Sequence, residues 1–353
     1  MHRGSMKTKQ GGYHMAFKKV EAIVLTEDDI RSLISFPRAL SIAEELLANQ
    51  GKGTVDMPPK VALDLKRFGL DSYCNSMPAY LHYKKLLGIK FGGGFSDNLR
   101  TGQLPYMVQT LILANAVTGE PYALMSATYL TILKTGTETA VSGKFLAKQE
   151  GALKVCVIGV GDQGQGNALS WAALDAQGDR KVSEIRLVDL DTGKAERFAK
   201  VLERSYKGKI LVSGSIEKSI ADCDVIVTTT TAVKPIIQKQ WVKAQGVYFA
   251  SLGSNPELDP QIVLAADKLV ADNWVQNEHR GEFRDLIAAG KITRQNLHAE
   301  LPEIVAGKQP GRTDPKENIV GSLIGLGSID IATAWEAYVG AQEKGIGQKV
   351  RLM

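Results

Sequence analysis

The stretch Lys154–Gly166 (KVCVIGVGDQGQG) constrains this chain more than any other. Val155 to Ile158 is a short, mostly β-branched apolar run between a lysine and a glycine, the pattern of a strand covered on both faces. Gly159, Gly161 and Gly164 follow as G-x-G-x-x-G. The first glycine allows a tight turn, the second lets a pyrophosphate approach the backbone, and the third lets helix and strand pack closely. The N–H groups at the start of the next helix then face the phosphates. A second strand, Glu184 to Asp189, comes after a helical stretch from Asn167 to Ala176 and ends in an acid, as a ribose 2′-hydroxyl acceptor should. A carboxylate there repels a 2′-phosphate, so the motif predicts NAD rather than NADP.

Alternation of strand and helix continues from Gly151. Candidate strands are Val155–Ile158, Ile185–Asp189, Ile210–Val212, Asp224–Thr228, Val247–Ser251 and Lys268–Ala271, which predicts a doubly wound α/β domain. Amphipathic helices are expected from Asn273 to Gly307, then a polar linker and a last helix from about Ser328 to Glu343 that returns to the first domain. Before the glycine motif the chain reads as α+β. It has a strand at Glu21–Leu25, a helix capped by Thr26, and a helix from Ser35-Phe36-Pro37 that ends before Gly51. Turn-separated strands follow (Lys60–Leu63, Asp71–Tyr80, Leu87–Gly92, Tyr106–Ala114, Tyr122–Met125), the third broken by Gly92-Gly93-Gly94, and they imply an antiparallel or mixed sheet. A long helix from Ala127 to Ala147 closes this part. The expected division is 16–149, 150–318 for the nucleotide-binding domain, and 319–353 as the return.

With 353 residues, two well-buried cores are feasible. No apolar run approaches the roughly 18 residues of a membrane span, and the N-terminus lacks the apolar core of a signal peptide. Arg3, Lys7 and Lys9 in the acid-free leader Met1–Met15 supply much of the +5 net charge, so the basic balance does not argue for nucleic acid. That leader reads as an appended or disordered tail. Cys74, Cys156 and Cys223 are far apart and without metal-ligand spacing; they are expected to be reduced thiols in a cytoplasmic protein. His82, His279 and His298 show no metal or triad spacing either.

Several short segments, in order and spacing, resemble the ornithine cyclodeaminase/mu-crystallin family from about Glu21 onward. They are Met77-Pro78-Ala79-Tyr80-Leu81, Gly88-Ile89-Lys90, Thr118-Gly119-Glu120-Pro121, Leu130–Thr135, Gly159–Gln163, Leu252-Gly253-Ser254-Asn255 and Gly307–Arg312. The resemblance implies a Rossmann-type doubly wound domain inserted in an α+β substrate and dimerisation domain, and a homodimer. It also implies NAD(P) chemistry on the Cα–N bond of an amino acid. Members include cyclodeaminases, amino-acid dehydrogenases, ketimine reductases and a vertebrate lens and hormone-binding protein.

In such proteins a cationic trio, usually Arg, Lys and Arg in the cyclodeaminases, grips the substrate carboxylate beside the nicotinamide. The matching residues here are Lys60, Lys90 and Lys134. Lysine is a point charge without the bidentate fork of arginine. Where cyclodeaminases carry a proton-handling Asp, the match is Asn255, whose amide takes no proton at neutral pH; Glu257 and Asp259 are the alternatives if the shortened segment shifts the alignment. This departure favours an NAD-dependent amino-acid dehydrogenase or ketimine reductase over ornithine cyclodeaminase, with a catalytically silent dinucleotide- or ligand-binding protein as a third reading. Cofactor contacts are implied for Tyr106, Thr135, Gly159, Gly161, Asp162, Gln163, Gly164, Asp189, Thr230, Ser251 and Leu252. The expected partner is a small amino or imino acid, with no nucleic acid and no membrane.

Overall fold

The computed structural model describes residues 19–352; the leader Met1–Met15 lies outside them. Two eight-stranded sheets organise the chain. The first contains β1 (Glu21–Leu25), β2 (Val55–Asp56), β3 (Val61–Asp64), β4 (Ser72–Leu81), β5 (Leu86–Phe95), β6 (Met107–Asn115), β7 (Pro121–Ser126) and, from the end of the chain, β16 (Gln348–Arg351). Its order is β16-β1-β7-β6-β5-β4-β2, with β3 also on β4. It is mixed: β1 runs parallel to β7 and the other pairs are antiparallel.

Gly92-Gly93-Gly94 does not break β5. The strand runs through all three and pairs with β4 and β6 along its length. A side chain at Gly93 would meet the Tyr73 carbonyl at 1.8 Å, and Gly92 takes φ +138° with the Val108 carbonyl 2.3 Å from where a Cβ would stand. The glycines let three strands approach closely, a use of glycine other than the chain break expected from the sequence. Alternation along β5 turns Leu86, Gly88 and Lys90 toward the core and Leu87, Ile89 and Phe91 outward.

The second sheet holds β8 (Leu153–Ile158), β9 (Val182–Val188), β10 (Lys209–Ser213), β11 (Val225–Thr228), β12 (Tyr248–Ser251), β13 (Lys268–Ala271), β14 (Leu297–Glu300) and β15 (Ile319–Ser322). Every pair is parallel and the order is β10-β9-β8-β11-β12-β15-β13-β14. The order reverses between β8 and β11, and ligands of such sheets bind at the carboxyl ends of the strands at that crevice. Two expectations need correction. Residues 319–322, assigned to the return segment, are a strand inside this sheet, so the chain leaves it after Ser322 rather than at 318. The stretch 273–307 holds short helices (Trp274–Asn277, Arg284–Ala288, Leu301–Val305) and the strand β14; side chains buried by tertiary packing decided its form, not an amphipathic period.

Two helices join the sheets. The long helix Thr128–Leu146 packs on the motif helix Asp162–Ala176 through glycine on both sides. A methyl on Gly136 would lie 2.4 Å from the Gly166 carbonyl, and one on Gly166 2.5 Å from Ile132 Cγ2. Gly143 likewise makes room for the ring of Trp171. The return helix Gly327–Lys344 packs against β4, β5 and the first helices, as expected. Lys90, Lys134 and the residues leading into the return helix are therefore carried to one place, beside the glycine turn. No helix among the described residues is long and apolar enough to cross a membrane.

Candidate active site

The glycine turn has the shape a dinucleotide needs. Gly159 adopts φ +89°, a left-handed conformation open to glycine, and its N–H donates to the Val188 carbonyl at 2.8 Å. A Cβ on Gly164 would stand 1.8 Å from the Gly159 carbonyl, so helix and turn are in full contact. Gly161, which caps the motif helix, is different: the nearest atom to a Cβ there is Lys194 Nζ at 3.8 Å. This open space beside backbone N–H groups fits a pyrophosphate.

Asp189 follows β9. Its carboxylate accepts from Val160 N at 2.7 Å and Asp191 N at 3.0 Å, with Lys194 Nζ 3.9 Å away. It stands across the turn from Gly161, where a ribose hydroxyl acceptor belongs. Asp162 is exposed in the first turn of the helix; Gln163 beside it keeps a buried Oε1 without a partner among the described residues.

Other predicted cofactor residues have different engagements. Thr230 donates to Glu257 from its side chain, and its backbone N–H reaches the same carboxylate at 3.1 Å. Ser251 is buried and donates to Glu282 Oε2 at 2.7 Å. Burial pushes Glu282 up to about 7, and its other bonds come from the Glu257 and Leu258 N–H groups. Both hydroxyls serve this acid pair under the sheet edge. Leu252 is half-buried, with its N–H on Thr228. Thr229, which the sequence reading passed over, bonds the Ile158 and Gly159 carbonyls and shapes the turn. Tyr106 packs over Gly94 beside Tyr73 in the first domain. Thr135 is half-buried, directly after Lys134 and one residue before the helix contact at Gly136.

The three lysines converge. Lys90 is 2% exposed; its ammonium donates to Asp330 Oδ2 at 2.7 Å and to Thr131 Oγ1 at 3.0 Å. Thr131 in turn donates to Gln109. Lys134, 4% exposed, lies 4.0 Å from the same Asp330 oxygen and makes no other ion pair among the described residues. Half-buried Lys60 donates to the Ile324 carbonyl. Lys60 and Lys134 meet over Gly325, where a Cβ would come within 3.9 Å and 2.1 Å of their ammonium groups. Gly325 has φ +90°, and its N–H donates to Asp272 Oδ2 at 2.6 Å.

Burial together with mutual repulsion sets the electrostatics. Desolvation lowers Lys60 well below its ordinary value, with Lys134 and Arg280 adding to the shift. Desolvation also takes Lys90 down to about 8, against the pull of Asp330. Buried Asp272 is pushed up to about 6, opposed by Lys60. Arg280, half-buried near Lys60 and Tyr73, forms no ion pair among the described residues. The cluster is a buried concentration of cations only partly matched by acids, ready for an anion.

Asn255 does not join the lysines. Its Oδ1 accepts from Arg284 at 3.1 Å and its Nδ2 points to the Ala232 carbonyl. It is linked to the cluster by one backbone bond, Gly281 N to Ser254 O at 3.1 Å, next to Arg280. Neither alternative occupies the place of a free acid: Glu257 is buried with Thr230, and Asp259 caps the helix Pro260–Leu264. Asp330, Asp272, Glu138 and Arg280 were missed from sequence.

Known proteins of this shape were found across nearly the whole chain. Alanine dehydrogenase of Archaeoglobus fulgidus is 31% identical over 338 residues, covering 94% of this chain and 99% of that protein. A structure described as an archaeal alanine dehydrogenase dimer with bound NAD has 29% identity and a TM-score of 0.84, covering 95% of this chain and all of that one. The Δ1-pyrroline-2-carboxylate reductase of Thermococcus litoralis, solved with NADH and L-proline, has 27% identity and a TM-score of 0.85, covering 93% of this chain and all of that one. The model of the ornithine cyclodeaminase/mu-crystallin family matches residues 20–345, a span that contains all three lysines and every strand of the two sheets except β16, and the chain belongs to that family.

Proposed function

We propose that this protein is an NAD-dependent oxidoreductase acting on the Cα–N bond of a small amino or imino acid. The observation that carries the reading is the buried convergence of Lys60, Lys90 and Lys134 beside an open glycine turn with Asp189 across from it. Similar proteins are named for such reactions, and solved relatives hold NAD or NADH. When bound, the nicotinamide ring supplies the acceptor or donor for a hydride at Cα.

The chain's own groups do the rest. Lys60 and Lys134 hold the substrate carboxylate and so fix Cα in the crevice. Two of the Lys90 N–H directions are committed to Asp330 and Thr131, which leaves one for the substrate. With its pKa lowered to about 8 by burial, Lys90 can exchange a proton with the substrate nitrogen near neutral pH. In the oxidative direction amino acid, NAD⁺ and water give oxo acid, ammonium, NADH and a proton; a cyclic imine is reduced by NADH and a proton. Ornithine cyclisation fits less well, because Asn255 cannot accept a proton, Glu257 is buried with one oxygen on Thr230, and Asp259 caps a helix.

A homodimer is part of the reading. The outward face of the first sheet exposes Leu87, Phe91, Ile112 and Leu124, with Val61 and Leu63 beside them. Such a contiguous apolar face is the mark of an interface, and one solved relative is described as a dimer.

NADH absorbance and ammonia release, followed over a panel of amino acids and of 2-oxo acids with amines, test the proposal. Hydride transfer on at least one α-amino or imino acid is expected. Proline and ammonia from ornithine without net NADH would favour the cyclodeaminase, and NADH binding with no turnover on any of the panel would favour a silent binder.

A further inference from the structure

Strands β4, β5 and β6 carry Asn75, Gly92 and Gln109 into one row across the first sheet, Asn75 paired with Gly92 and Gly92 with Gln109. Side chains alternate along a strand, so this row faces the same side as the row Met77–Lys90–Leu111, one inward step away. One step in the other direction, the rings of Tyr73 and Tyr106 cover Gly94. Between the lysine row and the tyrosine rings stand two amide side chains with a glycine in the middle. Two strand spacings, about 10 Å, separate Asn75 from Gln109, and Gly92 puts no side chain between them.

The Gln109 amide is fixed in orientation. Lys90 donates to Thr131 Oγ1 at 3.0 Å, and Thr131 gives its one hydroxyl proton to Gln109 Oε1. Gln109 Nε2 is therefore turned away from Thr131. Gln109 is buried, yet Nε2 has no hydrogen-bond partner among the described residues and is not sealed inside the protein. The side chain of Asn75, also buried, makes no hydrogen bond among the described residues, and its Oδ1 is enclosed. Buried amides ordinarily find partners. These two flank a glycine, and two hydrogen bonds, about 6 Å in all, lead from the Lys90 ammonium to Gln109.

We propose that the row Asn75–Gly92–Gln109 is the side-chain subsite, and that it selects an amino or imino acid whose side chain carries an acceptor oxygen, in a hydroxyl, carboxamide or carboxylate. This rests on the reading of Lys90 as the group that meets the substrate nitrogen. With the carboxylate on Lys60 and Lys134 and the nitrogen at Lys90, a short side chain on Cα reaches the neighbouring row. Gln109 Nε2 donates to its oxygen. The Asn75 amide, committed at neither end, adds an N–H, or takes the proton of a hydroxyl. An alkyl side chain leaves both amides unpaired, which is costly in a buried site. A terminal ammonium only donates, and it faces the Gln109 donor.

The test compares kcat/KM for L-serine, L-asparagine and L-aspartate with that for L-alanine, L-proline and L-ornithine. It is read as NADH formation, and in reverse with the matching 2-oxo acids and ammonium. At least one of the three oxygen-bearing acids should exceed alanine about tenfold in the wild type, and the one that leads identifies the group. Gln109→Glu keeps an oxygen for Thr131 and replaces the Nε2 donor by an acceptor; it should bring that ratio to about one. Asn75→Leu, which leaves the bonds among Lys90, Thr131 and Gln109 in place, should lower the ratio at least about threefold. Melting curves and NADH titration establish that each variant folds. Alanine, proline or ornithine used as well as all three oxygen-bearing acids, or variants that slow every substrate by the same factor, overturns the subsite alone. No hydride transfer on any of these substrates by the wild type overturns the reading of the function, and this inference with it.

Discussion

Lys90 and Asp330 meet at 2.7 Å with both side chains buried, although 240 residues separate them in the chain. The contact ties the central strand of the first sheet to the return helix and fixes where the Lys90 ammonium points. Removing one partner strands the other: breaking such a pair costs about 3–5 kcal/mol, whereas replacing both by apolar or neutral groups is often neutral. Lys90→Met should therefore lower Tm and abolish turnover. Lys90→Met with Asp330→Asn should recover most of the stability and none of the turnover. Thermal melts and NADH-coupled rates separate the two effects; recovery of turnover in the double variant would remove Lys90 from the chemistry.

The glycine turn predicts a split between two substitutions. Gly164→Ala drives a methyl into the Gly159 carbonyl and should destabilise the fold. Gly161→Ala meets only the far end of Lys194. It should melt within about 1 °C of wild type and lose NADH affinity at least about tenfold, because the methyl fills the space of the pyrophosphate. Fluorescence titration with NADH alongside melting curves checks both.

Gly325 is held to glycine twice over. Its φ of +90° disfavours any side chain, and a Cβ would lie 2.1 Å from Lys134 Nζ. Gly325→Ala should displace Lys134 and raise KM for the amino or imino acid. Lys134→Met should raise that KM about 10- to 100-fold, the loss of one charge-assisted hydrogen bond of about 1.5–3 kcal/mol. The NADH dissociation constant should stay within about twofold of wild type for Lys134→Met.

Burial of Glu138 has a stability signature whose sign follows from the direction of its shift. The folded value of about 8 lies above the ordinary 4.5, so the folded state holds a proton that the unfolded chain releases. The stabilisation is full below about pH 4.5 and is lost as pH rises to about 8. Glu138→Gln, which cannot ionise, should match wild type at about pH 5 and melt several degrees higher at about pH 8.5. A gap that stays constant with pH would mean that Glu138 is ionised throughout.

The outward face of the first sheet supplies a test of assembly. Phe91→Glu places a charge among Leu87, Ile112 and Leu124. Sedimentation should change from dimer to monomer, since an unpaired charge is costly in an apolar interface.

Some of this site was legible in the sequence and some was not, for physical reasons. The glycine turn and Asp189 follow from local geometry, and local geometry is written in adjacent residues. Lys90 was reached through the family resemblance, and its place between Ile89 and Phe91 on a strand accords with its burial. The acids were hidden because a carboxylate on a helix reads as solvated unless its neighbours are weighed. Asp330 did carry a signal, lying between Ile329 and Ile331 in an apolar helix, and Glu138 stands in a run of threonine, glycine and alanine. Asn255 was located by alignment, yet its side chain belongs to Arg284. The strand β15 was missed because its partners β12 and β13 are set by the path of the whole chain, not by the four residues Ile319–Ser322.

A crystal structure of the ternary complex with NADH and pyruvate tests the central claim most directly. The pyrophosphate should lie against Gly161 with a ribose hydroxyl on Asp189, and the pyruvate carboxylate should stand within hydrogen-bonding distance of Lys60 and Lys134, with its C2 facing the nicotinamide. A dinucleotide bound away from the Gly159–Gly164 turn, or a carboxylate that leaves the three lysines untouched, would contradict it.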